Sequence, residues 1–483
     1  MEIISELETE FKSEVAFDYE FDYVIIGSGP GGQNSAIQAA NAGKTVAIID
    51  KEINVGGHCV YYGTIPSKTL REAALAINKL KKFCNLFDFK MREDLEVQTL
   101  LSRLDNVLSA HNELIRKQLH KNNIEIFHGR ASFIDRNHIQ IYKMDGSKIV
   151  LRAKFIVIAS GSSPRVPEDI YVDHEHILDS DSILNLIYIP QSLLILGSGV
   201  IACEYASTFA LLGTKVTILE KYDRPLSFMD KELTDIYIEE LESYGGEFRG
   251  NSVYKSVVWD GVSEVKIEIE SNDEHKIRET LSAQKVLFAL GRVANLDKLK
   301  LQNINIEITD RNLIKVDDNY KTNIDNIYAV GDVIGFPALA STSMEQGRLA
   351  VSHSLGLYIA KKFKDLPIGI YAIPELASIG LTEEQANSNY QKIYIGRAFF
   401  DEVARAQISG INAGLLKIIT DEELNILGVH IIGEDASNLI HIGEMAILNN
   451  NKATIFIENI MNFPTMAEAY RIATLDLLSN FKR

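Results

Sequence analysis

Hydrophobic and polar positions divide the chain into stretches with the period of a strand and stretches with the period of a helix. From Phe21 the apolar run DYVIIG predicts a strand, QNSAIQAANAG a helix after a glycine turn, and KTVAIID a second strand. This order predicts a β-α-β unit, and residues 1–20 before it form a polar extension. A later group of apolar residues falls on one face of a predicted long helix: Leu100, Leu104, Val107, Leu108, Ile115 and Leu119.

The opening pattern returns in the middle of the chain. SLLILG predicts a strand, GSGVIA a loop, CEYASTFALLG a helix and TKVTILE the next strand. The two loops start 170 residues apart, from Gly27 to Gly197 (197 − 27 = 170). An offset of this size indicates two copies of one architectural unit and excludes a short-period solenoid.

The sequence after residue 366 has a different pattern. GLLKIIT, the polar turn DEELN and ILGVHIIG predict an antiparallel hairpin. Helix-like stretches lie on both sides of it, DASNLIHIGEMAILNN and PTMAEAYRIATLDLLSNF. The fold class that follows is α/β, with two Rossmann-like dinucleotide-binding domains and a C-terminal α+β domain.

The composition limits the possible binding partners more than it limits the possible folds. The 483 residues carry a formal net charge of −17, which disfavours nucleic acid as a partner. No apolar run has the length of a membrane span, and the acidic N-terminus does not resemble a secretory signal, so we expect a cytoplasmic protein without a membrane partner. The 3 cysteines do not form a disulfide framework, and the histidines, including His58, His111 and His441, have no ligand spacing and predict no metal site.

The two glycine loops give the clearest indication of a binding site. In such a loop one glycine allows the tight turn, another admits a pyrophosphate and a third lets the helix pack on the strand. A carboxylate that ends the second strand, 23 residues after the first glycine in both copies, can accept hydrogen bonds from a ribose. The residues in these places are Gly27, Gly29, Gly32 and Asp50 in the first copy, and Gly197, Gly199, Ala202 and Glu220 in the second.

Glu220 also bears on the choice of nucleotide. A carboxylate at this place favours NAD(H) and repels the 2′-phosphate of NADP(H). Lys221 and Arg224 follow closely and could offset that repulsion. The sequence therefore leaves NADP(H) open beside NAD(H).

The segment GGHCVYYGTIPSK, from Gly56 to Lys68, resembles the pyridine nucleotide–disulfide oxidoreductases, the family of dihydrolipoamide dehydrogenase and glutathione reductase. VIASGSSPRVP, LFALGRVAN, YAVGDV, PELASIGLTEEQA and ILGVHIIG extend the resemblance over most of the chain. It implies a discontinuous FAD-binding domain at 21–165 and 290–365, an NAD(P)-binding domain at 166–289 and a dimerisation domain at 366–483, in a homodimer or higher homo-oligomer.

The resemblance assigns site residues in the same way. For FAD it implies Gly27, Gly29, Gly32, Asp50, Lys51, Gly57, Cys59, Lys68, Ala131, Gly161, Asp332 and Ala340. For NAD(P) it implies Gly197, Gly199, Ala202, Glu204, Glu220 and Gly291. Lys68 and Glu204 correspond to an ion pair beside the flavin, and Asp332 to a contact of the ribityl chain.

Two departures from the disulfide branch agree with each other. That branch has a second cysteine five positions after the first, where this chain has Thr64 after Cys59. It also has a histidine before the C-terminal Pro-Thr, where this chain has Phe463, which cannot transfer protons. GTIPSK and PTMAEAYRIA resemble instead the soluble, Si-specific pyridine nucleotide transhydrogenases.

That resemblance implies transfer of hydride between NADPH/NADP⁺ and NADH/NAD⁺ by a ping-pong mechanism through flavin N5, without a redox-active disulfide. Cys59 is then either an inert relic, the favoured reading, or a reactive thiolate. Three alternatives stay open: an NAD(P)H dehydrogenase (diaphorase) with another acceptor, a dihydrolipoamide dehydrogenase-like protein that has lost its thiol chemistry, and a nucleotide-sensing or scaffold flavoprotein.

Overall fold

The computed structural model describes residues 15–82, 100, 103–273, 275–357, 365–411 and 413–481 and confirms the mixed α/β class. Its helices are α1 (Pro30–Asn41), α2 (Gly57–Tyr61), α3 (Thr64–Lys82), α4 (Leu104–Lys121), α5 (Val200–Leu211), α6 (Lys231–Ser243), α7 (Ala340–Ser354), α8 (Glu383–Asn389), α9 (Ala404–Ser409), α10 (Ala436–Leu448), α11 (Ile455–Glu458) and α12 (Glu468–Phe481). Its strands are β1 (Tyr19–Ile26), β2 (Val46–Asp50), β3 (Glu125–His128), β4 (Arg130–Phe133), β5 (His138–Tyr142), β6 (Lys148–Ile158), β7 (Ser162–Pro164), β8 (Ile177–Asp179), β9 (Ser192–Leu196), β10 (Lys215–Leu219), β11 (Glu247–Arg249), β12 (Ser252–Trp259), β13 (Val265–Ser271), β14 (Arg278–Ala283), β15 (Lys285–Phe288), β16 (Arg292–Ala294), β17 (Ile327–Ala329), β18 (Ile368–Ile370), β19 (Leu376–Gly380), β20 (Tyr394–Phe399), β21 (Leu415–Thr420) and β22 (Ile426–Ile432).

The chain divides into two compact units. Unit 1 comprises Met1–Thr64, Asp105–Ser163 and Arg292–Ala360, and unit 2 comprises Ile65–Leu104, Pro164–Gly291 and Lys361–Arg483. A division of unit 2 into separate nicotinamide and C-terminal domains stays a prediction, since one hydrophobic core of the described residues contains side chains of both, among them Ile195 and Leu415.

Unit 1 is built on a sheet with the order β3-β2-β1-β6-β5-β4, and β17 also pairs with β6. The β1, β2, β3, β6 and β17 pairings are parallel, which confirms the first predicted β-α-β unit. β1 begins at Tyr19, two residues before the predicted start, because Tyr19 and Glu20 already pair with Leu151 and Arg152 of β6. The carboxyl ends of the parallel strands thus lie together, where α/β folds bind ligands.

The predicted long helix is α4 within the described residues. Ile115 and Leu119 are its buried side chains, as the apolar face predicts. Leu100 is described, but residues 101 and 102 between it and α4 are outside the described residues. None of the described helices is long and apolar enough to cross a membrane.

Unit 2 repeats the first arrangement in a parallel sheet with the order β11-β10-β9-β15-β8. β12, β13 and β14 form a separate antiparallel sheet. A five-stranded antiparallel sheet, β18-β19-β22-β21-β20, follows in the C-terminal part. In it β21 and β22 pair from Leu415 and Ile432 to Thr420 and Ile426, which confirms the predicted hairpin.

A buried cluster of charged side chains links α6 to the C-terminal sheet within unit 2. Lys417 of β21 is 1% exposed, and its Nζ lies 2.8 Å from Asp230 Oδ1, 3.0 Å from Glu232 Oε2 and 2.6 Å from Glu383 Oε2. Burial alone raises the pKa of Asp230, but neighbouring His430 and Lys417 lower it to below its usual value. The pKa of Lys417 lies above its usual value because these hydrogen bonds outweigh burial. Asp230 and Lys417 therefore stay ionised, and the cluster ties the start of α6 to the C-terminal sheet.

Candidate functional site

The first glycine loop lies between β1 and α1 in unit 1. Gly27 has φ +107°, and a side chain there would press on the Ala159 backbone, so a glycine is required. A Cβ on Gly32 would collide with the Gly27 carbonyl oxygen. Around Gly29, in contrast, a Cβ would meet no described atom within 4 Å. The loop is thus closed on the protein side at two glycines and open at the third, which is the shape that a pyrophosphate requires.

Asp50 at the end of β2 organises this loop. Its Oδ2 accepts hydrogen bonds from the Ser28 backbone N (2.8 Å) and from Ser28 Oγ (2.5 Å), and its Oδ1 accepts one from the Glu52 backbone N (2.9 Å). The residue is 7% exposed. A carboxylate has about four acceptor positions, so one remains for a ribose hydroxyl. Ribose binding by Asp50 stays a prediction.

The second glycine loop, between β9 and α5 in unit 2, repeats this geometry. Glu220 Oε2 accepts hydrogen bonds from the Ser198 backbone N (2.9 Å) and Oγ (2.8 Å), and Oε1 accepts one from the Lys221 N (2.8 Å). A Cβ on Gly199 would again meet no described atom within 4 Å. Gly29 and Gly199 have nearly the same backbone angles, φ −67°, ψ −179° and φ −75°, ψ −172°. The serine after the first glycine was missed by the sequence analysis, although it stands in the same place in both loops.

The helices that follow the loops begin without a side-chain cap. Neither α1 nor α5 has a side-chain hydrogen bond at its N-terminus, and neither has α7, which begins at Ala340. The backbone N–H groups of the first turn are therefore available to an anion.

A second group of unit 1 residues surrounds Asp332. Its Oδ2 accepts a hydrogen bond from Ser162 Oγ (2.6 Å), and Arg292 donates to Ser162 Oγ and to the Ser162 carbonyl, each at 2.8 Å. The Gly331 backbone N donates to Gln346 Oε1 (2.8 Å). Ser160 Oγ is buried and has no hydrogen-bond partner among the described residues.

These features fit FAD. The open Gly29, the uncapped helices and the unpartnered Ser160 hydroxyl are what a phosphate-bearing ligand with hydrogen-bonding groups would use. The other residues predicted for FAD within unit 1 are Lys51, exposed after β2; Gly57 at the start of α2, whose Cβ would lie 2.8 Å from Gly29 Cα; half-buried Cys59 on α2; Ala131, buried in β4; and Gly161, with φ +69°.

Around the second loop, Ala202 is fully buried in α5 and Gly291 has φ +101°. Cys203 is a buried packing residue, as its place in the helix predicts, and burial raises the pKa of its thiol. Arg224 donates to Glu384 Oε2 (2.8 Å) and to the Ser227 carbonyl (3.1 Å), so part of its charge is already compensated.

Lys68 on α3 and Glu204 on α5 are brought together in unit 2. Lys68 Nζ lies 2.6 Å from Glu204 Oε2, and the other carboxylate oxygen accepts a hydrogen bond from the Tyr371 backbone N (2.9 Å). Glu204 is 8% exposed. Burial strengthens the attraction because little water screens it. Tyr371 was missed by the sequence analysis, since its place beside the pair follows from tertiary structure.

The C-terminal segment differs in exposure along its length. Phe463 is 74% exposed. Glu468 begins α12, and its Oε2 is buried without a hydrogen-bond partner among the described residues. The phenyl ring cannot bond to this carboxylate as an imidazole could.

Comparisons with known proteins match nearly the whole chain to one family. The model of the pyridine nucleotide-disulphide oxidoreductases matches residues 21–347, and the model of their dimerisation domain matches residues 366–474. The soluble pyridine nucleotide transhydrogenase of Hahella chejuensis is 40% identical over 467 residues, which cover 96% of this chain and 99% of that protein. The protein of the same name from Mycobacterium bovis BCG is 39% identical over 468 residues, 96% of this chain and 98% of that protein.

Solved structures give the same fold. A Cu(II) complex of the HOCl-induced flavoprotein disulfide reductase RclA from Escherichia coli superimposes with a TM-score of 0.84 at 27% identity, over 94% of this chain and 99% of that one. LpdA from Mycobacterium tuberculosis gives a TM-score of 0.85 at 24% identity, over 94% and 99%, and bears on the fold alone. The chain belongs to the pyridine nucleotide-disulphide oxidoreductases, as an enzyme with FAD as cofactor and nicotinamide nucleotides as substrates.

Proposed function

We propose that this enzyme transfers hydride between NADPH/NADP⁺ and NADH/NAD⁺ by a ping-pong mechanism, without a redox-active disulfide. The observation that carries the proposal is the pair of matched glycine loops in a chain with Thr64 and Phe463 at the two thiol-chemistry positions. The relatives named soluble pyridine nucleotide transhydrogenase, similar over nearly the whole chain, support it. We also propose a homodimer or higher homo-oligomer, which the match to the dimerisation domain supports. We propose separately that the protein is cytoplasmic.

The chain's own residues would divide the work. The first loop with Asp50 and Asp332 would hold FAD, and the second loop with Glu220 would hold each nicotinamide nucleotide in turn. FAD, when bound, supplies the hydride-accepting and hydride-donating ring. Lys68 would place a positive charge beside that ring, and Glu204 would keep the lysine oriented. Proton transfer by a thiol–histidine pair is not required.

The test is anaerobic. The purified yellow holoenzyme is mixed with NADPH or NADH, the flavin absorbance is followed, and a thio-NAD⁺ analogue is then added. We expect bleaching by both nucleotides and stoichiometric transfer to the analogue. Bleaching without transfer would leave a diaphorase, and no bleaching by either nucleotide would leave a sensor or scaffold. Cys59→Ser, which removes the remaining thiol of the motif, tests separately whether a thiol takes part.

Glu220 is expected to set the nucleotide preference. Glu220→Gln keeps an acceptor for Ser198 but removes the negative charge that opposes a 2′-phosphate. The weaker repulsion of the 2′-phosphate favours NADPH, and the weaker hydrogen bonding to the ribose disfavours NADH. Together these effects amount to about 1–2 kcal/mol, so we expect the NADPH:NADH ratio of kcat/KM to rise about tenfold. Steady-state kinetics with both nucleotides measure it.

Glu247→Gln is the matched control, because this carboxylate lies on the neighbouring strand β11 and pairs with Arg249 at 2.7 Å. It should leave the ratio unchanged. An equal ratio in Glu220→Gln and the wild type would show that Glu220 does not face the ribose.

A further inference from the structure

The Lys68 ammonium has a third neighbour besides the Glu204 carboxylate and Ser67. Its Nζ lies 5.0 Å from the centroid of the Tyr371 ring and 3.4 Å from Ser67 Oγ. A lysine ammonium within about 6 Å of a tyrosine ring centroid is attracted by the ring's negative face. Tyr371 therefore contacts both members of the ion pair: its ring contacts Lys68, and its backbone N donates to Glu204.

The backbone that follows Tyr371 is fixed to α3 and α5 by hydrogen bonds. The Ala372 carbonyl accepts a hydrogen bond from Arg71 Nε (3.2 Å), and the Ile373 N donates to Ser207 Oγ (2.9 Å). Arg71 also forms an ion pair with Glu375 at 2.9 Å. Ala372 is fully buried. The ring is thus carried on a segment hydrogen-bonded to the same two helices that carry Lys68 and Glu204.

We propose that Tyr371 is a positioning residue, whose ring holds the Lys68 ammonium against Glu204. A lysine side chain has four flexible bonds and loses this freedom only where several contacts hold it. Glu204 attracts Nζ from one direction, and the ring restricts it from another. The effect on hydride transfer rests on the proposed function, in which this ammonium lies beside the flavin.

The experiment compares three forms of the holoenzyme: wild type, Tyr371→Phe and Tyr371→Leu. Phenylalanine keeps the ring face, and leucine removes it. The first readout is the rate at which acetic anhydride labels Lys68, measured by mass spectrometry. We expect a rise of about three- to tenfold in Tyr371→Leu and less than about twofold in Tyr371→Phe. The second is the rate of anaerobic flavin reduction, expected to fall by a similar factor in Tyr371→Leu alone.

Two further variants give the inference its controls. Tyr188→Leu removes another lysine–tyrosine contact of unit 2, with Lys285 at 5.3 Å, and should change neither readout. In a Lys68→Met background, Tyr371→Leu should cause no further loss of rate, because the ring then has no ammonium to hold. Flavin content and Trp259 fluorescence check that each variant is folded.

Unchanged labelling and rate in Tyr371→Leu would overturn the inference, and so would an equal loss in Tyr371→Phe or a loss that persists in the Lys68→Met background. If labelling responds to Tyr371→Leu while Lys68→Met reduces its flavin at the wild-type rate, the positioning role of Tyr371 is supported and the proposed role of Lys68 in hydride transfer fails.

Discussion

Replacing Gly29 by valine is expected to give a folded protein that has lost its yellow colour. The chain itself has room for the side chain, since a Cβ there would meet no described atom within 4 Å, and φ of −67° is ordinary for valine. The added methyl groups would occupy the space predicted for the FAD pyrophosphate. Overpacking of about 1–3 kcal/mol corresponds to about 5- to 150-fold weaker binding. Flavin absorbance per mole of purified protein measures it.

Gly199→Val is the matched variant in the second loop, because Gly199 has nearly the same backbone angles and the same open surroundings. It should keep its FAD and lose kcat/KM for NADPH and NADH by a similar factor. The two variants together assign each loop to its ligand. If Gly199→Val were the colourless one, or if both lost FAD equally, the assignment of the loops would be wrong.

Replacing Lys417 by methionine is expected to destabilise unit 2 by about 3–5 kcal/mol, the usual cost of removing one partner from a buried ion pair. Lys417 is 1% exposed, and Asp230, Glu232 and Glu383 all lie within 3.0 Å of its ammonium. Methionine is close to lysine in length, so packing changes little while the carboxylates lose their cation. Trp259, the single tryptophan of the chain, lies in unit 2, and its fluorescence during urea unfolding gives the free energy of unfolding there.

Lys231→Met is the control. Lys231 pairs with Asp235 at 2.6 Å on the same helix α6, but its side chain is 61% exposed, so less than about 1 kcal/mol should be lost. Similar losses in the two variants would mean that water reaches the cluster. A double variant, Lys417→Met with Asp230→Asn, should recover part of the loss because one uncompensated charge is removed.

Local patterns predicted those parts of the fold in which neighbours along the chain decide the structure. The two β-α-β units, the β21–β22 hairpin and the buried face of α4 at Ile115 and Leu119 were each visible as a period. The start of β1 was not. Tyr19 and Glu20 are polar enough to resemble an extension, and their strand conformation comes from pairing with β6, more than 100 residues away.

For the site, the sequence by itself determined which residue types stand at which spacing: two glycine loops with a carboxylate 23 residues on, Thr64 and Phe463 at the two positions predicted for thiol chemistry, and an acidic balance. Such features are fixed by residue type and spacing. Only the tertiary structure decided what surrounds these residues. Ser28 and Ser198 bind the loop carboxylates, Arg224 is partly compensated by Glu384, and Tyr371 reaches Lys68 from 303 positions later in the chain (371 − 68 = 303). Contacts of this kind depend on how distant segments of the chain pack together, and the local pattern of hydrophobic and polar residues does not predict that packing.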